Sequence, residues 1–378
     1  MNRQFGVINE DEGASGRVLR VSVFSGDNNF RTSSLEALEP FYLTTVFDNA
    51  NGALEEMTAS PPSAVAIDME LPPAGGADLI RKFRANAALS HVPILAISDS
   101  KIKESSEEAQ QTPADYQHER PLLKSKFLEI ISIMANKSVE RSWDQLPPLQ
   151  ATVLKETVNV FKKSFSGVRD GRPLPVANIE KSCEPMIEAI TNNQFGDILR
   201  GVRDHDDYTY VHSLRVSIHL SLLGHAMGIR GDDLKTLAVG GLVHDIGKAM
   251  VPLNILNKPG KLSEEEWLKM KAHVLHSKKI IERTPSINHG VKIIALQHHE
   301  KLNGVGYPYG IKGKKLNDLA RMATIVDIYG ALTDRRAYKP AFSIEKAMPI
   351  MLDMKDELDQ GMVKLFRDLL MEAAKLEE

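Results

Sequence analysis

The stretch GGLVHDIGKA (240–249) runs an apolar, helix-forming segment into an adjacent histidine and aspartate. A helix with no polar face is carried into a core, and the carboxylate at its end goes with it. Such a carboxylate is costly to bury unless it is coordinated or hydrogen-bonded. A buried Asp245 therefore wants a cation, with His244 beside it.

Other donors stand in similar settings. His212, His273, the pair His298–His299 and Asp327 each fall on or at the end of a separate helical stretch: YVHSLRVSIHLSLLGHAMG, SEEEWLKMKAHVLHSKKIIE, HGVKIIALQHHE and ARMATIVDIYGALT. With His244 and Asp245 these make seven groups on five helices, a number that a bundle can point at one spot. All are nitrogen or oxygen donors of the kind that suits iron, manganese or zinc. Seven donors exceed the needs of one ion, so two divalent ions sharing a bridging carboxylate fit better. A lone histidine on an apolar helix is ordinarily a core or surface residue, and His219, His225, His276 and His289 stay at that reading. The single cysteine, Cys183, excludes an internal disulfide or a cysteine-rich metal site and reads as a small buried apolar residue.

Before this helical half the pattern differs. VLRVSVF (18–24), FYLTTVF (41–47), SAVAID (63–68) and VPILAIS (92–98) read as buried strands, and SSLEALE, GALEEMT and GADLIRKFRAN between them carry helical spacing. Strand and helix alternate, which implies a doubly wound parallel sheet with helices on both faces. SWDQLPPLQ and FSGVRDGRPLP then punctuate the chain around one periodic helix, QATVLKETVNVFKKSF (150–165). The expected organisation is an α/β domain over 15–136, a helical linker over 137–175 and an all-α bundle over 176–375. Within the bundle, Ser263 and Glu266 spell a capping box that opens a helix. A net charge of −3 argues against duplex nucleic acid or an anionic membrane as the main partner. No apolar run approaches the roughly eighteen residues needed to span a bilayer, and Met1 to Glu10 lacks an export pattern, so the cytoplasm is the expected compartment.

HDIGK (244–248) resembles the HD motif of the HD superfamily of metal-dependent phosphohydrolases. HHEKLNGVGYPYGIKGKKL, followed by ARMATIVDIYGALTDRRAYK, is similar to the HHExxDGxGYP block and downstream helix of the HD-GYP family, as are YTYVHSLRVS (208–217) and VPLNILNKPGKLSEEEWLKMKAH (251–273). The resemblance extends over about 200 residues. It implies a bundle that holds two, sometimes three metals, commonly iron or manganese, and hydrolyses the bacterial second messenger cyclic di-GMP. By position it implies His212, His244, Asp245, His273, His298, His299 and Asp327 as metal ligands, with Asp245 as the bridge. It places Lys248 at the scissile phosphate, and Tyr307, Arg336 and Lys339 near the bound dinucleotide.

The chain also departs from the family. Asn303 stands where an aspartate is usual, Gly330 where another aspartate follows the metal aspartate, and Arg335 and Ala337 in the usual TSDRPY run. Tyr208 occupies the place of the glutamate that serves a third metal, so two ions are expected. These departures keep open a second reading, a metal-containing cyclic-dinucleotide receptor that reports to a protein partner such as a GGDEF-type cyclase or to a second copy of itself. A phosphohydrolase for another phosphoester is a third.

The N-terminal half resembles a response-regulator receiver domain in strand order and in IDMELPP (67–73). Asp68 matches the phosphoacceptor, Ser98 the hydroxyl of the fourth strand, and Arg120 the usual lysine before Pro121. The acidic pair after the first strand is missing: FSGDN offers Ser25 and Gly26, with only Asp27 nearby. Phosphotransfer needs a magnesium ion that those acids would hold. A pseudo-receiver serving as a docking or dimer module is the expectation, with phosphorylation of Asp68 the lesser alternative.

Overall fold

The computed structural model describes residues 19–39, 42–50, 53–99, 113–196, 198–199, 210–256, 258, 261–334 and 342–375. Five short strands, β1 (Arg20–Phe24), β2 (Leu43–Phe47), β3 (Ala64–Asp68), β4 (Ile94–Ser98) and β5 (Tyr116–Glu119), form one sheet in the order β2-β1-β3-β4-β5. Every pairing is parallel, with Val23 opposite Val46 on one side and Ala66 on the other. This is the doubly wound order in which the chain reverses direction across the sheet between β1 and β3. Alternate residues feed two separate apolar layers. Val21, Val23, Ala64, Ala66, Leu95 and Ile97 pack under α1 (Asn28–Leu38) and α4 (Lys124–Ser142), whereas Phe24, Val65, Ile67, Ile94 and Ala96 pack under α2 (Ala53–Ala59) and α3 (Gly76–Ala85). Burial on both faces explains why β1, β3 and β4 read as continuous apolar runs. β5 carries no such run. It is an edge strand, YQHE, half-buried at alternate positions, and its sequence gives no strand signal.

The helical half comprises α5 (Pro148–Arg169), α6 (Val176–Thr191), α7 (Tyr210–Ala226), α8 (Gly231–Val243), α9 (Glu264–Lys271), α10 (His273–Glu282), α11 (His289–Gln297), α12 (Asp318–Thr333), α13 (Ile344–Asp353) and α14 (Gln360–Lys375). α7 is its axis. Val211 through Gly224 are all buried, as expected of a helix that is apolar all round. One side of α7 (Val211, Leu214, Ile218) joins a core with α5, α6 and α8, and the other (Val216, Leu220, Leu223) joins a core with α12, α13 and α14. α5 lies in the stretch expected to link the two halves. It packs Val153, Leu154, Val158, Phe161 and Phe165 into the first of these cores. The capping box at the start of α9 is formed: Ser263 Oγ accepts from the Glu266 N–H, and Glu266 Oε2 accepts from the Ser263 N–H.

A tight crossing holds the HD turn in place. After α8 the chain makes a short 3-10 turn (Ile246–Met250) that lies directly on the start of α10, where the Gly247 N–H donates to Ser277 Oγ at 2.9 Å. A Cβ on Gly247 would stand 1.9 Å from the His273 carbonyl oxygen and 2.5 Å from Ser277 N, so no side chain fits without moving backbone. Gly247→Ala is therefore expected to cost roughly 1–3 kcal/mol of stability, read as a lower midpoint in urea unfolding. An unchanged midpoint would show that the crossing is slack.

Candidate metal centre

Three histidines solve the same local problem at three helix ends. The last carbonyls of an α-helix lack intrahelical partners. His244 follows α8, His273 stands at the α9–α10 junction and His298 follows α11, and in each the ring Nδ1 donates to a carbonyl three residues back. The distances are 2.7 Å to Gly241 O, 2.7 Å to Met270 O and 3.2 Å to Ala295 O. A carbonyl can only accept, so Nδ1 carries the proton and Nε2 is turned away from its own helix, the arrangement that outer partners impose on ligating imidazoles.

The Nε2 atoms converge on Asp245. Its Oδ2 lies 3.2 Å from His244 Nε2 and 3.8 Å from His212 Nε2, and its Oδ1 lies 3.0 Å from His273 Nε2 and 3.7 Å from His298 Nε2. The two oxygens of one carboxylate thus face two different pairs of rings. Asp327 closes the other side, with Oδ1 3.0 Å from His212 Nε2 and 3.7 Å from His244 Nε2, and Oδ2 3.4 Å from His299 Nδ1. All seven residues that the sequence marked as donors are brought together. They form two groups, Asp245–His273–His298–His299 and His212–His244–Asp327, and within each group one donor atom per residue lies within 4.8 Å of the others. Among the described residues, His244 Nε2, His273 Nε2, His298 Nε2 and Asp245 Oδ1 are buried without a hydrogen bond. Clustered, unsatisfied lone-pair atoms are what a cation would satisfy, and the imidazole and carboxylate donors fit a divalent ion of the iron, manganese or zinc kind.

Charge in the cluster is balanced internally. Burial alone would raise the Asp245 carboxyl, but Lys248, His244 and His273 outweigh it and hold it well below the usual carboxylate range. Burial would likewise lower His244, yet Asp245 and then Asp327 hold it up at about 10. His298 is driven well below the ordinary imidazole value by burial and by its neighbours His299 and His244, and His299 is pushed down to about 3 chiefly by burial. Against the opposing effect of burial, neighbouring buried carboxylates thus favour the protonated form of His244 and of His212, while His298 and His299 stay neutral with their lone pairs available. An ion entering the cage would displace a proton from such a ring.

The turn after His299 is held by a residue for which the sequence suggested no role. Glu300 is fully buried, and its carboxylate accepts from the backbone N–H groups of Tyr309 (2.7 Å), Gly310 (3.1 Å) and Ile311 (2.9 Å). A Cβ on Gly306 would stand 2.5 Å from Glu300 Cα, so the loop folds flat against the metal-facing turn. Asn303 Oδ1 accepts from the Val305 N–H at 3.2 Å and shapes the turn locally. Tyr307 donates its N–H to His299 O, and its ring stacks on the His299 ring at 4.6 Å between centroids. Beside it opens a cavity of about 360 Å³ lined by His298, His299, Tyr307, Trp267 and Lys271. Lys271 Nζ lies 5.9 Å from the Trp267 ring centroid and 5.7 Å from that of Tyr307. The signal for Trp267 and Lys271 was present, an aromatic and a cation one turn apart on a charged helix. Lys248 sits against Asp245. Arg336 and Lys339, with Arg335, Ala337 and Tyr208, lie outside the described residues.

In the α/β domain Asp68 ends β3, buried, and its Oδ2 accepts from Ser25 Oγ at 2.6 Å and from the Arg120 guanidinium at 2.7 Å. Asp27 is committed elsewhere: its Oδ1 accepts from the Asn29 N–H and caps α1.

Comparison with known proteins agrees with this arrangement. Residues 202–361 match the HD domain family. A cyclic di-GMP phosphodiesterase of Pseudomonas aeruginosa is 32% identical over 44% of this chain and 40% of its own length. A 3'3'-cGAMP-specific phosphodiesterase of Vibrio cholerae is 39% identical over 38% of this chain and 31% of its own length. The chain thus spans less than half of these two relatives. A probable cyclic di-GMP phosphodiesterase of Vibrio cholerae is 26% identical over the whole of this chain and 81% of its own length. The stretch 202–361 of this chain, which holds the paired histidine and aspartate at the end of α8, is thus similar to an HD domain.

Proposed function

We propose that this protein is a phosphodiesterase that opens a cyclic dinucleotide, cyclic di-GMP or a close relative such as 3'3'-cGAMP, at a centre for two divalent ions, iron first and manganese or zinc next. The observation that carries the reading is Asp245, whose two oxygens face two separate pairs of imidazoles, the disposition a bridging carboxylate requires. Bound there, paired ions supply an activated water and neutralise the anionic phosphodiester. His212, His244 and Asp327 would hold one ion, His273, His298 and His299 the other, and Asp245 both. The Lys248 ammonium, which rests against Asp245, would add positive charge where negative charge grows on the phosphoryl oxygens. Trp267 offers a half-exposed ring to a nucleobase, and Lys271 sets a cation between it and Tyr307, the combination that grips stacked bases and phosphates. Tyr307 already covers His299 on one face, so its part is to fix that ring and to border the cavity.

The chain's division into a receiver-like domain (15–136), a linker (137–175) and the HD-GYP bundle (176–375) belongs to the same proposal, as does work in the cytoplasm. In the receiver-like domain Asp68 Oδ2 accepts from the Arg120 guanidinium and the Ser25 hydroxyl, Oδ1 accepts from the Glu70 N–H, and the acidic pair that would hold magnesium is missing. We infer a docking module with no phosphotransfer chemistry.

Metal-loaded protein incubated with cyclic di-GMP, and in parallel with 3'3'-cGAMP, is expected to yield linear dinucleotide. His298→Ala should lower that turnover by more than roughly 100-fold, the upper end of what loss of an outer partner costs. Tight binding with no linear product in the intact protein would favour the receptor reading. Elemental analysis of protein purified without added metal should find two ions per chain, iron above all.

Incubation with acetyl phosphate and magnesium, followed by intact-mass analysis, is expected to leave Asp68 unmodified. An added phosphoryl group that is lost in Asp68→Asn would overturn the docking-module reading.

A further inference from the structure

His212 differs from the other ligand-set histidines, and the difference exposes a positioning residue. His244, His273 and His298 take their outer hydrogen bond from a carbonyl in the last turn of a helix. His212 lies in the first turn of α7, where the backbone offers free N–H groups and no free carbonyls. Its Nδ1 instead meets Asp334 Oδ2 at 2.7 Å, while its Nε2 faces Asp327 Oδ1 at 3.0 Å.

Asp327, Gly330 and Asp334 are spaced i, i+3, i+7 along α12 and its end, so they share one face. His212 is gripped between the outer two. Gly330 clears the space: a Cβ there would stand 3.1 Å from His212 Cε1 and 3.3 Å from Nδ1, closer than an unstrained contact. Asp334 donates its backbone N–H to Gly330 O at 2.7 Å, which ends the helix and turns the carboxylate back over the gap. There it is buried, and its second oxygen accepts from the Arg215 guanidinium.

We propose that Asp334 is the residue that orients His212 toward the metal centre, holding the Nδ1 proton so that Nε2 is the nitrogen left to face a cation, and that Gly330 suits this arrangement because a side chain there would crowd the His212 ring. The inference rests on the metal-centre reading above. It makes the glycine, which looks like a loss beside the family pattern, one half of a paired change.

Asp334→Asn tests it at constant volume. Arg215 can only donate, so it would claim the amide oxygen and leave the amide N–H₂ facing His212 Nδ1. The ring proton would then move to Nε2, into the cage. Competition between the full-length apoprotein and a chelator for manganese is expected to show affinity falling by roughly 10–100-fold in Asp334→Asn. Arg215→Gln, which disturbs the same buried pair but leaves the Asp334–His212 bond, should lose far less. Long-range ¹H–¹⁵N spectra of the zinc-loaded protein should show His212 protonated at Nδ1 in the wild type and in Arg215→Gln, and that tautomer lost in Asp334→Asn alone. Equal losses in both variants, or an unchanged tautomer, would reduce Asp334 to a structural role and overturn the proposal. Wild-type protein that binds no manganese would instead sink the metal-centre reading, and this inference with it.

Discussion

The centre depends on one hydrogen bond made three times, from a histidine Nδ1 to a carbonyl in the final turn of its own helix. That bond answers two needs together. It gives a partner to a carbonyl that the helix cannot satisfy, and it fixes which nitrogen of the ring is left to face inward. The direction of three imidazoles is thereby set by backbone geometry and needs no long side-chain network. Three of the rings brought to Asp245 arrive in this way, from α8, the α9–α10 junction and α11. The site is as rigid as the helix ends that carry it, and an ion binding there would stabilise the folded bundle directly.

The two exceptions are where the centre is joined to the rest of the molecule. His299 faces Asp327 through Nδ1, and its ring is steadied by the stacked Tyr307. Tyr307 belongs to the loop that Glu300 gathers through three backbone N–H groups. A buried carboxylate directly after a pair of candidate ligands would weaken the centre if it were free to compete for an ion. Here both of its oxygens are occupied by the loop. The cage and the wall of the cavity are consequently one unit, because the residue after the histidine pair builds the loop whose tyrosine covers the second histidine. His212, the other exception, ties the centre to the far end of α12.

Much of this was legible in the sequence, for reasons that can be named. Strands β1, β3 and β4 are buried on both faces and read as apolar runs, and α7 and α8 are apolar enough that any charge on them demands a partner. His244 and Asp245 were visible because they end such a helix, and the other five donors because they recur at the matching places of separate helices in a pattern that resembles the HD-GYP family. β5 was not, since an edge strand half-open to solvent can be made of Tyr, Gln, His and Glu. Glu300 and Asp334 escaped for another reason. Their importance lies in what they touch across the fold, and a charged residue in a loop or on a helix surface looks the same in sequence whether its partner is water or a ring from α7.

The departures at positions 303 and 330 bear on whether the centre is intact. A family pattern counts each as a lost carboxylate, and two lost carboxylates would suggest a decaying site. Neither position carries a ligand here. Asn303 uses its side-chain oxygen to cap the Val305 N–H, a task that an amide performs as well as a carboxylate. Gly330 stands against His212, and the charge that the ring needs arrives from Asp334 one turn later. Drift without selection for metal binding would be expected to remove donors at random, leaving buried carboxylates or imidazoles without partners. Instead the donor set is complete, and at 330 a neighbouring acid supplies the charge. That pattern favours a centre kept for binding metal.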